Sequence, residues 1–205
     1  MDLKHYLGRC PLIAILRGVK PDEAEEICAA LEGAGVAIVE VPLNSPEPLD
    51  SIGRLARRFG ERMLIGAGTV MTTGQVEEVA RAGGRLIVTP HAATAVVGAA
   101  KSRSMLACPG FFTPTEGFAM LAAGADAIKL FPSEAASPAV LRAMRAVLPP
   151  GTAVLPVGGI DAGNIPEWRA AGAAGYGIGS AIYKPGDSAA VVAKKAAKLV
   201  QSLGR

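Results

Sequence analysis

Short apolar segments alternate with amphipathic segments along the whole chain. Residues 12–16 are apolar on both faces, which is typical of a parallel strand covered by helices. Pro21 and two acidic residues follow, as expected for the first turn of a helix. The apolar positions after it have the i, i+3, i+4, i+7 spacing of a helix face, at Ala24, Ile27, Cys28 and Leu31. The pattern therefore predicts a strand followed by an α-helix.

This strand–helix unit occurs eight times in 205 residues. The predicted strands are residues 12–16, 37–42, 63–67, 86–88, 105–108, 125–131, 153–157 and 175–178. Helix-capping residues lie between them, including Thr113, which has the spacing of a capping box with Glu116. Alternating strands and helices favour a parallel sheet, and eight units that close form a TIM barrel, for which roughly 200 residues is the compact limit. We therefore expect a compact (β/α)8 TIM barrel, α/β in class, as a single domain over residues 1–205.

An open, doubly wound sheet is the main structural alternative. The barrel is favoured because no GxGxxG motif follows the first strand. A motif that begins at Gly175 and Gly177 would need a glycine where Ser180 stands. The sequence also contains no GxxxxGK motif, so a Walker-type nucleotide site is not expected.

Composition excludes several classes of protein. Half of the residues are hydrophobic, which is incompatible with a disordered chain. The net charge of +3 comes from scattered residues and only 4% of residues are aromatic, so nucleic-acid binding is not expected. The sequence has neither a recognisable signal peptide nor an apolar stretch of roughly 18 residues, so we expect a cytoplasmic protein with no membrane partner.

Metal and cofactor sites are not indicated by the sequence. Cys10, Cys28 and Cys108 are far apart and form no CxxC pair. No cluster of His, Asp or Glu has the spacing of metal ligands. The expectation is an activity that requires neither a metal nor a cofactor.

Charged residues inside predicted strands are the first candidates for chemistry. Glu40 interrupts the second strand and Lys129 the sixth, while Arg17 follows the first. Burying a lone lysine is costly unless its pKa falls and it becomes neutral. A buried ion pair of purely architectural role is one interpretation, although such pairs stabilise poorly. The other is a neutral amine acting as nucleophile, with a carboxyl group as acid and base.

Glycines follow the seventh and eighth strands, where TIM barrels commonly bind phosphate through backbone N–H groups. Gly158 and Gly159 follow the seventh strand, and Gly179 and Ser180 follow the eighth. Simple turn formation is the alternative for either pair alone, whereas both pairs together favour a phosphate site. Ser133 could add a hydroxyl group to it.

Two further residues lie where strand ends are predicted to meet. Thr69 follows a glycine turn after the third strand and could hydrogen-bond a carboxylate or hydroxyl group, or simply precede a helix. His91 follows the fourth strand and is interpreted as a surface or supporting residue.

Seven segments together resemble the KDPG/KHG aldolase family, in order and over nearly the whole chain. These segments are residues 15–18, 40–46, 65–69, 87–90, 108–110, 128–132 and 157–160. The family comprises class I pyruvate aldolases that act on phosphorylated 2-keto-3-deoxy sugar acids. The resemblance implies that fold and activity, with pyruvate as a product, and a homotrimer as the usual assembly.

The resemblance also implies roles for individual residues. Lys129 is implied as the Schiff-base lysine and Glu40 as the general acid/base. The remaining site residues are implied to bind substrate: Arg17, Thr69, Pro90 and Phe131 near the pyruvyl part, Val157 near the C4 hydroxyl group, and Gly158, Gly159, Gly179 and Ser180 at the phosphate.

One departure from the gluconate-type pattern concerns the C4 configuration of the substrate. That branch has Leu-Arg-Thr after the second strand and Thr-Gly-Gly after the seventh, where this chain has Leu43-Asn44-Ser45 and Val157 before the two glycines. The chain thus resembles the branch that cleaves 2-dehydro-3-deoxy-6-phosphogalactonate. Alternatives are the 6-phosphogluconate and 4-hydroxy-2-oxoglutarate activities, a different phosphate-binding barrel enzyme, and a non-catalytic phosphosugar-binding barrel.

Overall fold

The computed structural model describes residues 2–204, in which helices and parallel strands alternate. The helices are α1 (Leu3–Arg9), α2 (Pro21–Gly33), α3 (Pro48–Phe59), α4 (Thr73–Arg81), α5 (Thr94–Ser102), α6 (Pro114–Ala122), α7 (Pro138–Arg145), α8 (Ile165–Ala170) and α9 (Ala189–Ser202). The strands are β1 (Leu12–Ile15), β2 (Ile38–Pro42), β3 (Leu64–Gly68), β4 (Leu86–Val88), β5 (Leu106–Cys108), β6 (Gly110–Phe111), β7 (Ile128–Leu130), β8 (Val154–Pro156) and β9 (Tyr176–Ile178).

The strands form two parallel sheets. The larger sheet has the order β5-β4-β3-β2-β1-β9, and the smaller has the order β6-β7-β8. Each strand of the larger sheet pairs with its neighbour in sequence, except that β9 pairs with β1. The α/β class and the parallel pairing are therefore as the alternating pattern predicts, with a strongly curled six-stranded sheet.

The two sheets approach each other at both ends. Only Pro109 separates β5 from β6, and the backbone of Val157 bridges in parallel to Gly177 of β9. The fifth predicted strand, residues 105–108, corresponds to β5, and the short strand β6 was not predicted. The predicted sixth, seventh and eighth strands are β7, β8 and β9. The chain packs closely where β5 gives way to β6: a Cβ atom on Gly110 would lie 2.6 Å from the carbonyl carbon of Pro90.

Local sequence signals explain where several helices begin. Thr72 begins α4 with a capping box to Gln75, and Thr113 begins α6 with a capping box to Glu116. Such a cap is worth about 1 kcal/mol. Helix α1 was not predicted, although its sequence carries the signal. Asp2 caps it, and Leu3 and Leu7 are buried on one face.

One cluster of buried apolar side chains extends from Leu3 to Leu203. The strands contribute residues to it on both faces, since β1 through β5 are buried at every position. Helices cover the outside of the sheets, so the strand residues themselves are buried. The polar groups that a ligand can reach lie at the carboxyl ends of the strands. Within residues 2–204, no helix has both the length and the apolar character needed to cross a membrane.

Candidate active site

A cavity of about 620 Å³ opens among the carboxyl ends of the strands. Eight of the eleven residues predicted for the site line it: Arg17, Lys129, Phe131, Val157, Gly158, Gly159, Gly179 and Ser180. Glu40, Thr69 and Pro90 are not among its lining residues. The cavity therefore combines the predicted lysine with the predicted glycine loops.

Lys129 lies in the middle of β7 and is 6% exposed. Its Nζ atom lies 4.4 Å from the centre of the Phe131 ring. Burial lowers the pKa of Lys129 below the ordinary value of a lysine, and the charge of Glu40 acts in the opposite direction. The strand thus holds an amine that gives up its proton more readily than a surface lysine while remaining in contact with the cavity.

Glu40 lies in β2 and is 2% exposed. Burial raises its pKa to about 7, while the charges of Lys129 and Arg17 lower it. Among residues 2–204, no group donates a hydrogen bond to Oε2 of Glu40. A carboxyl group with a pKa near neutrality, one oxygen of which has no protein partner, can both accept and return a proton at neutral pH.

Arg17 is positioned by the segment that follows β2. Its Nη1 atom donates a 2.6 Å hydrogen bond to Oδ1 of Asn44, and Gly18 N–H donates a 2.9 Å hydrogen bond to Oγ of the buried Ser45. A guanidinium held in this way presents further N–H groups to the cavity that it lines. Asn44 therefore orients a guanidinium group whose charge acts on both Glu40 and Lys129.

The glycine loops differ from each other in how much they need glycine for their own folding. Gly158 and Gly159 have φ angles of 107° and 64°, and a Cβ atom on Gly159 would lie 2.9 Å from Cγ of Glu134. Gly179 has no φ in the left-handed region, and a Cβ atom there would meet no atom of residues 2–204 within 4 Å. The fold therefore requires glycine at positions 158 and 159. At position 179 the backbone would accept another residue, and the missing side chain only keeps the cavity open.

Backbone N–H groups in these loops are available to a ligand. Among the hydrogen bonds of residues 2–204, none is donated by the backbone N–H of Gly158, Gly159, Gly179 or Ser180. Clustered N–H groups of this kind bind the oxygen atoms of an anion such as phosphate.

Thr69 and Pro90 lie at strand ends but outside the cavity lining. Thr69 follows β3, is partly buried and has a φ of 57°. Pro90 follows Thr89, whose hydroxyl group accepts a hydrogen bond from Gly110 N–H at 3.1 Å. His91, next to it, is exposed. Their predicted contacts with substrate stay predictions.

The structure changes the interpretation of Ser133. Its hydroxyl group donates to the Leu130 carbonyl at 2.9 Å and accepts from Val157 N–H at 2.8 Å, and the residue is 3% exposed. Both bonds tie the end of β7 to the end of β8. Ser133 is therefore a structural link and not a hydroxyl group offered to a phosphate.

Four polar residues that line the cavity were missed by sequence reasoning, namely Glu134, Asp161, Tyr183 and Lys184. Burial raises the pKa of Tyr183, as does the 2.9 Å hydrogen bond that its hydroxyl group donates to Glu23. All four lie outside the strands and α-helices, where a charged or aromatic residue is ordinary. Only their positions shortly after predicted strands could have indicated them.

Between residues 2 and 204, no group of three or more His, Cys, Asp and Glu side chains is arranged to hold a metal ion. The polar side chains at the cavity are instead two amines, one guanidinium, two carboxyl groups and two hydroxyl groups, from Lys129, Lys184, Arg17, Glu134, Asp161, Ser180 and Tyr183.

Comparisons with known proteins identify similar chains. A model of the family described as KDPG and KHG aldolase matches residues 3–199. The 2-dehydro-3-deoxy-6-phosphogalactonate aldolase of Escherichia coli (strain K12) is 46% identical over 194 residues, covering 95% of each chain. A solved structure of native KDPGal is 45% identical with a TM-score of 0.94, covering 96% of this chain and 95% of that one.

A more distant structure is similar in fold and carries a covalent intermediate. It is KDPG aldolase from Legionella pneumophila, solved with pyruvate captured at low pH as a covalent carbinolamine. Its TM-score is 0.84 at 26% identity, and the match covers 98% of this chain and 96% of that one.

Proposed function

Because the chain belongs to the KDPG and KHG aldolase family, we propose that it is a class I aldolase for a galactonate-type substrate. The reaction is cleavage of 2-dehydro-3-deoxy-6-phospho-D-galactonate to pyruvate and D-glyceraldehyde 3-phosphate. The substrate is taken from the relative that is 46% identical over 95% of both chains. The fold and the cavity support the same type of reaction.

One observation carries the proposal. The buried Lys129 amine and the buried Glu40 carboxyl group shift each other's pKa, and Lys129 lines the cavity that contains the glycine loops. An architectural ion pair would gain little from facing such a cavity, because buried pairs stabilise poorly. A nucleophilic amine with an acid/base partner needs contact with a ligand site.

The roles follow from the chemistry of the groups. The neutral Lys129 amine attacks the C2 ketone, and loss of water leaves a protonated imine. Glu40, acting through a water molecule, accepts the proton of the C4 hydroxyl group as the C3–C4 bond breaks and its electron pair moves toward the imine. D-glyceraldehyde 3-phosphate leaves, the enamine is protonated at C3, and hydrolysis releases pyruvate and restores the amine.

The substrate carboxylate is assigned to the Arg17 side of the cavity. A guanidinium group matches a carboxylate by paired hydrogen bonds, and Arg17 lines the cavity together with Lys129. Thr69 and Pro90 are proposed to contact the pyruvyl part, and Phe131 lies against the amine. These contacts place C2 of the substrate beside Nζ of Lys129.

The phosphate is assigned to the glycine loops that line the same cavity. The N–H groups of Gly158, Gly159, Gly179 and Ser180 supply donors with no acceptor in residues 2–204. Val157 lines the cavity, directly precedes Gly158, and its N–H donates a hydrogen bond to the carbonyl group of Leu130, the residue after Lys129, so we assign it to the C4 hydroxyl region. A valine offers that hydroxyl group no hydrogen bond, which disfavours an epimer that needs one.

Several expectations at the level of the whole chain remain part of the proposal. We propose that both sheets belong to one closed eight-stranded barrel, in which β5 and β6 count as one strand. The backbone bridge from Val157 to Gly177 and the 2.9 Å hydrogen bond from Ala174 N–H to the Val154 carbonyl support closure between β8 and β9. The single buried cluster supports one domain. The homotrimer and the cytoplasmic location are carried over from the family resemblance alone.

Trapping of the imine tests the proposal. Pyruvate with borohydride is expected to add a reduced pyruvyl group to the protein, located at Lys129 by mass analysis of peptides. Lys184→Met is the matched control, because Lys184 also lines the cavity but is exposed, and this variant should still be labelled at Lys129. Labelling that persists in Lys129→Met would contradict the assignment of the nucleophile.

A further inference from the structure

We propose that Gly68 is a positioning residue, whose missing side chain provides the space in which the Glu40 carboxyl group lies. The three heavy atoms nearest to a Cβ atom built on Gly68 are the two oxygens and the carboxyl carbon of Glu40, and all three would overlap with it. The catalytic consequence rests on the proposed function. The steric relation between the two residues does not.

The backbone of Gly68 does not itself require glycine. Its φ is not in the left-handed region, and it is the last residue of the regular strand β3. Its carbonyl group accepts a hydrogen bond from Leu43 N–H at 2.9 Å, as in an ordinary ladder. An alanine could adopt this conformation, so what its methyl group would displace is the carboxyl group at the end of the Glu40 side chain.

Sheet register explains why the two residues meet. Glu40 of β2 pairs with Gly66 of β3, and Gly68 is two residues further along, on the same face of the sheet. Both inward positions of β3 at this level therefore lack a side chain. The Glu40 side chain leans over the second of them toward the carboxyl end of the strands.

Gly66 provides an internal contrast. A Cβ atom on Gly66 would overlap with the carbonyl oxygen of Leu86 in β4, which is backbone and cannot turn away. Glycine at 66 is thus required for packing between strands. Glycine at 68 is required by one functional side chain.

The position of Glu40 depends strongly on this space because few other contacts hold it. Its Oε2 atom has no hydrogen-bond partner among residues 2–204. The charged groups that act on it are Lys129 and Arg17. The buried Cys108 thiol has its pKa raised to about 12, mainly by burial and further by the charge of Glu40, so it stays neutral. A methyl group at 68 would move the carboxyl group relative to the Lys129 amine without removing any of these charges.

A double-mutant cycle tests the proposal with two readouts. Gly68→Ala is made in the wild type, in Glu40→Ala and in Glu40→Gln, and melting temperature and steady-state kinetics are measured for each chain. Gly98→Ala is the control for adding a methyl group, since a Cβ atom there meets nothing within 4 Å. Gly66→Ala is the control for a collision with backbone.

In the wild type, Gly68→Ala is expected to lower kcat on the order of 100-fold, the effect of misplacing a catalytic group by about 1 Å. KM should change little, and the ascending limb of the pH profile should move because Glu40 leaves its site. In Glu40→Ala the same substitution should change the residual kcat and the melting temperature within the scatter of independent sites, about twofold in rate. In Glu40→Gln, which has the size of the wild-type side chain, the melting temperature should still fall.

Two results would overturn the inference. One is a full-activity Gly68→Ala enzyme with an unchanged pH profile. The other is an equal loss of stability from Gly68→Ala with and without the Glu40 side chain, which is the behaviour expected of Gly66→Ala. If Glu40→Ala alone keeps full activity, the proposed acid/base role fails, while the melting-temperature cycle still reports the steric relation.

Discussion

In the proposed function, a strand side and a loop side of the cavity act on the substrate by opposite means. On one side the functional groups are side chains in strands, Lys129 and Glu40, both buried and both with shifted pKa values. On the other side they are backbone N–H groups in loops, at Gly158–Gly159 and Gly179–Ser180. On the first side a functional group can be removed by truncating a side chain, whereas on the second the backbone groups can only be blocked, by adding a side chain.

This difference assigns chemistry to the first side and binding to the second. Burial shifts the protonation of an amine or a carboxyl group, which is what bond-making steps need. Backbone N–H groups carry no ionisable proton and serve only as donors of fixed geometry. Substitutions on the strand side should therefore act on kcat, and those on the loop side on KM for phosphorylated substrates.

Removal of the amine should have the largest effect on the strand side. Lys129→Met is expected to lower kcat by on the order of 10⁴-fold or more, because the nucleophile and its covalent step are lost. It should also raise the pKa of Glu40 further, since the Lys129 charge lowers it in the wild type. Steady-state kinetics check the first effect, with Lys198→Met, on the exposed face of α9, as the control. Wild-type rates in Lys129→Met would contradict the assignment of the chemistry to the strand side.

Glu40→Gln should have the next largest effect. General acid–base catalysis contributes roughly 10²- to 10⁴-fold, so kcat should fall within that range while KM changes little. In the wild type, kcat/KM should rise with pH through about 7 as Glu40 loses its proton, and this limb should be absent in the variant. A profile whose limb is the same in both proteins would assign it to another group.

The same substitution makes a prediction for stability. The pKa of Glu40 is about 7 in the folded protein against an ordinary value of 4.5, so the folded state holds this proton more tightly. Its contribution to stability is complete below pH 4.5 and is lost as pH rises through 7. The stability of the wild type relative to Glu40→Gln should therefore fall over this range, by up to roughly 3 kcal/mol. Denaturant unfolding at several pH values measures the difference.

Sequence reasoning was effective on the strand side and weaker on the loop side for a physical reason. A lysine or glutamate in an apolar strand is costly to bury, so Lys129 and Glu40 are visible in the pattern itself. Glu134 and Lys184 lie in loops, where charge costs nothing and gives no signal. The space that Gly68 provides for Glu40 depends on the register between β2 and β3, which the sequence does not contain.

Element boundaries show the same limit. The strand predicted over residues 125–131 is only Ile128–Leu130, because Asp126 instead binds the Ala107 N–H and Lys101 at the start of the strand. Helix α3 begins at Pro48, directly after Glu47 in a left-handed conformation. Tertiary contacts and backbone conformation therefore set boundaries that the apolar pattern does not contain.

On the loop side, Gly179→Val should raise KM for the phosphorylated substrate without loss of folding. A Cβ atom at Gly179 meets no protein atom within 4 Å, so its branches would only fill the cavity and block access to the N–H groups. Loss of hydrogen bonds to a charged group at about 1.5–3 kcal/mol each corresponds to roughly 10- to 100-fold. Pyruvate trapping at Lys129 should be unaffected, which separates the two sides.

Gly159→Val is the informative contrast to that variant. Gly159 has a φ of 64° and a Cβ atom there would lie 2.9 Å from Glu134, so its substitution strains the protein itself. We expect a lower melting temperature for Gly159→Val and an unchanged one for Gly179→Val. Equal KM losses for phosphorylated and non-phosphorylated substrates in Gly179→Val would argue against a phosphate at this loop.

Val157→Thr should have the smallest effect on kcat/KM, because the substitution only exchanges a methyl group for a hydroxyl group. Val157 directly precedes the first glycine loop and follows β8, so it belongs to both sides of the comparison. Its backbone N–H is held by the Leu130 carbonyl and by Ser133, and a Cβ atom on Gly177 would lie 2.6 Å from one of its methyl carbons. The substitution should therefore leave the backbone in place.

A hydrogen bond to an uncharged hydroxyl group is worth about 0.5–1.5 kcal/mol net, or roughly 2- to 13-fold in kcat/KM. We expect the wild type to prefer the galactonate epimer, and the variant to shift toward the gluconate epimer by a factor in that range. Measurement of kcat/KM for both epimers with both proteins decides the matter. A wild type that strongly favours the gluconate epimer, with a ratio that Val157→Thr does not change, would contradict both the substrate assignment and the role of this side chain.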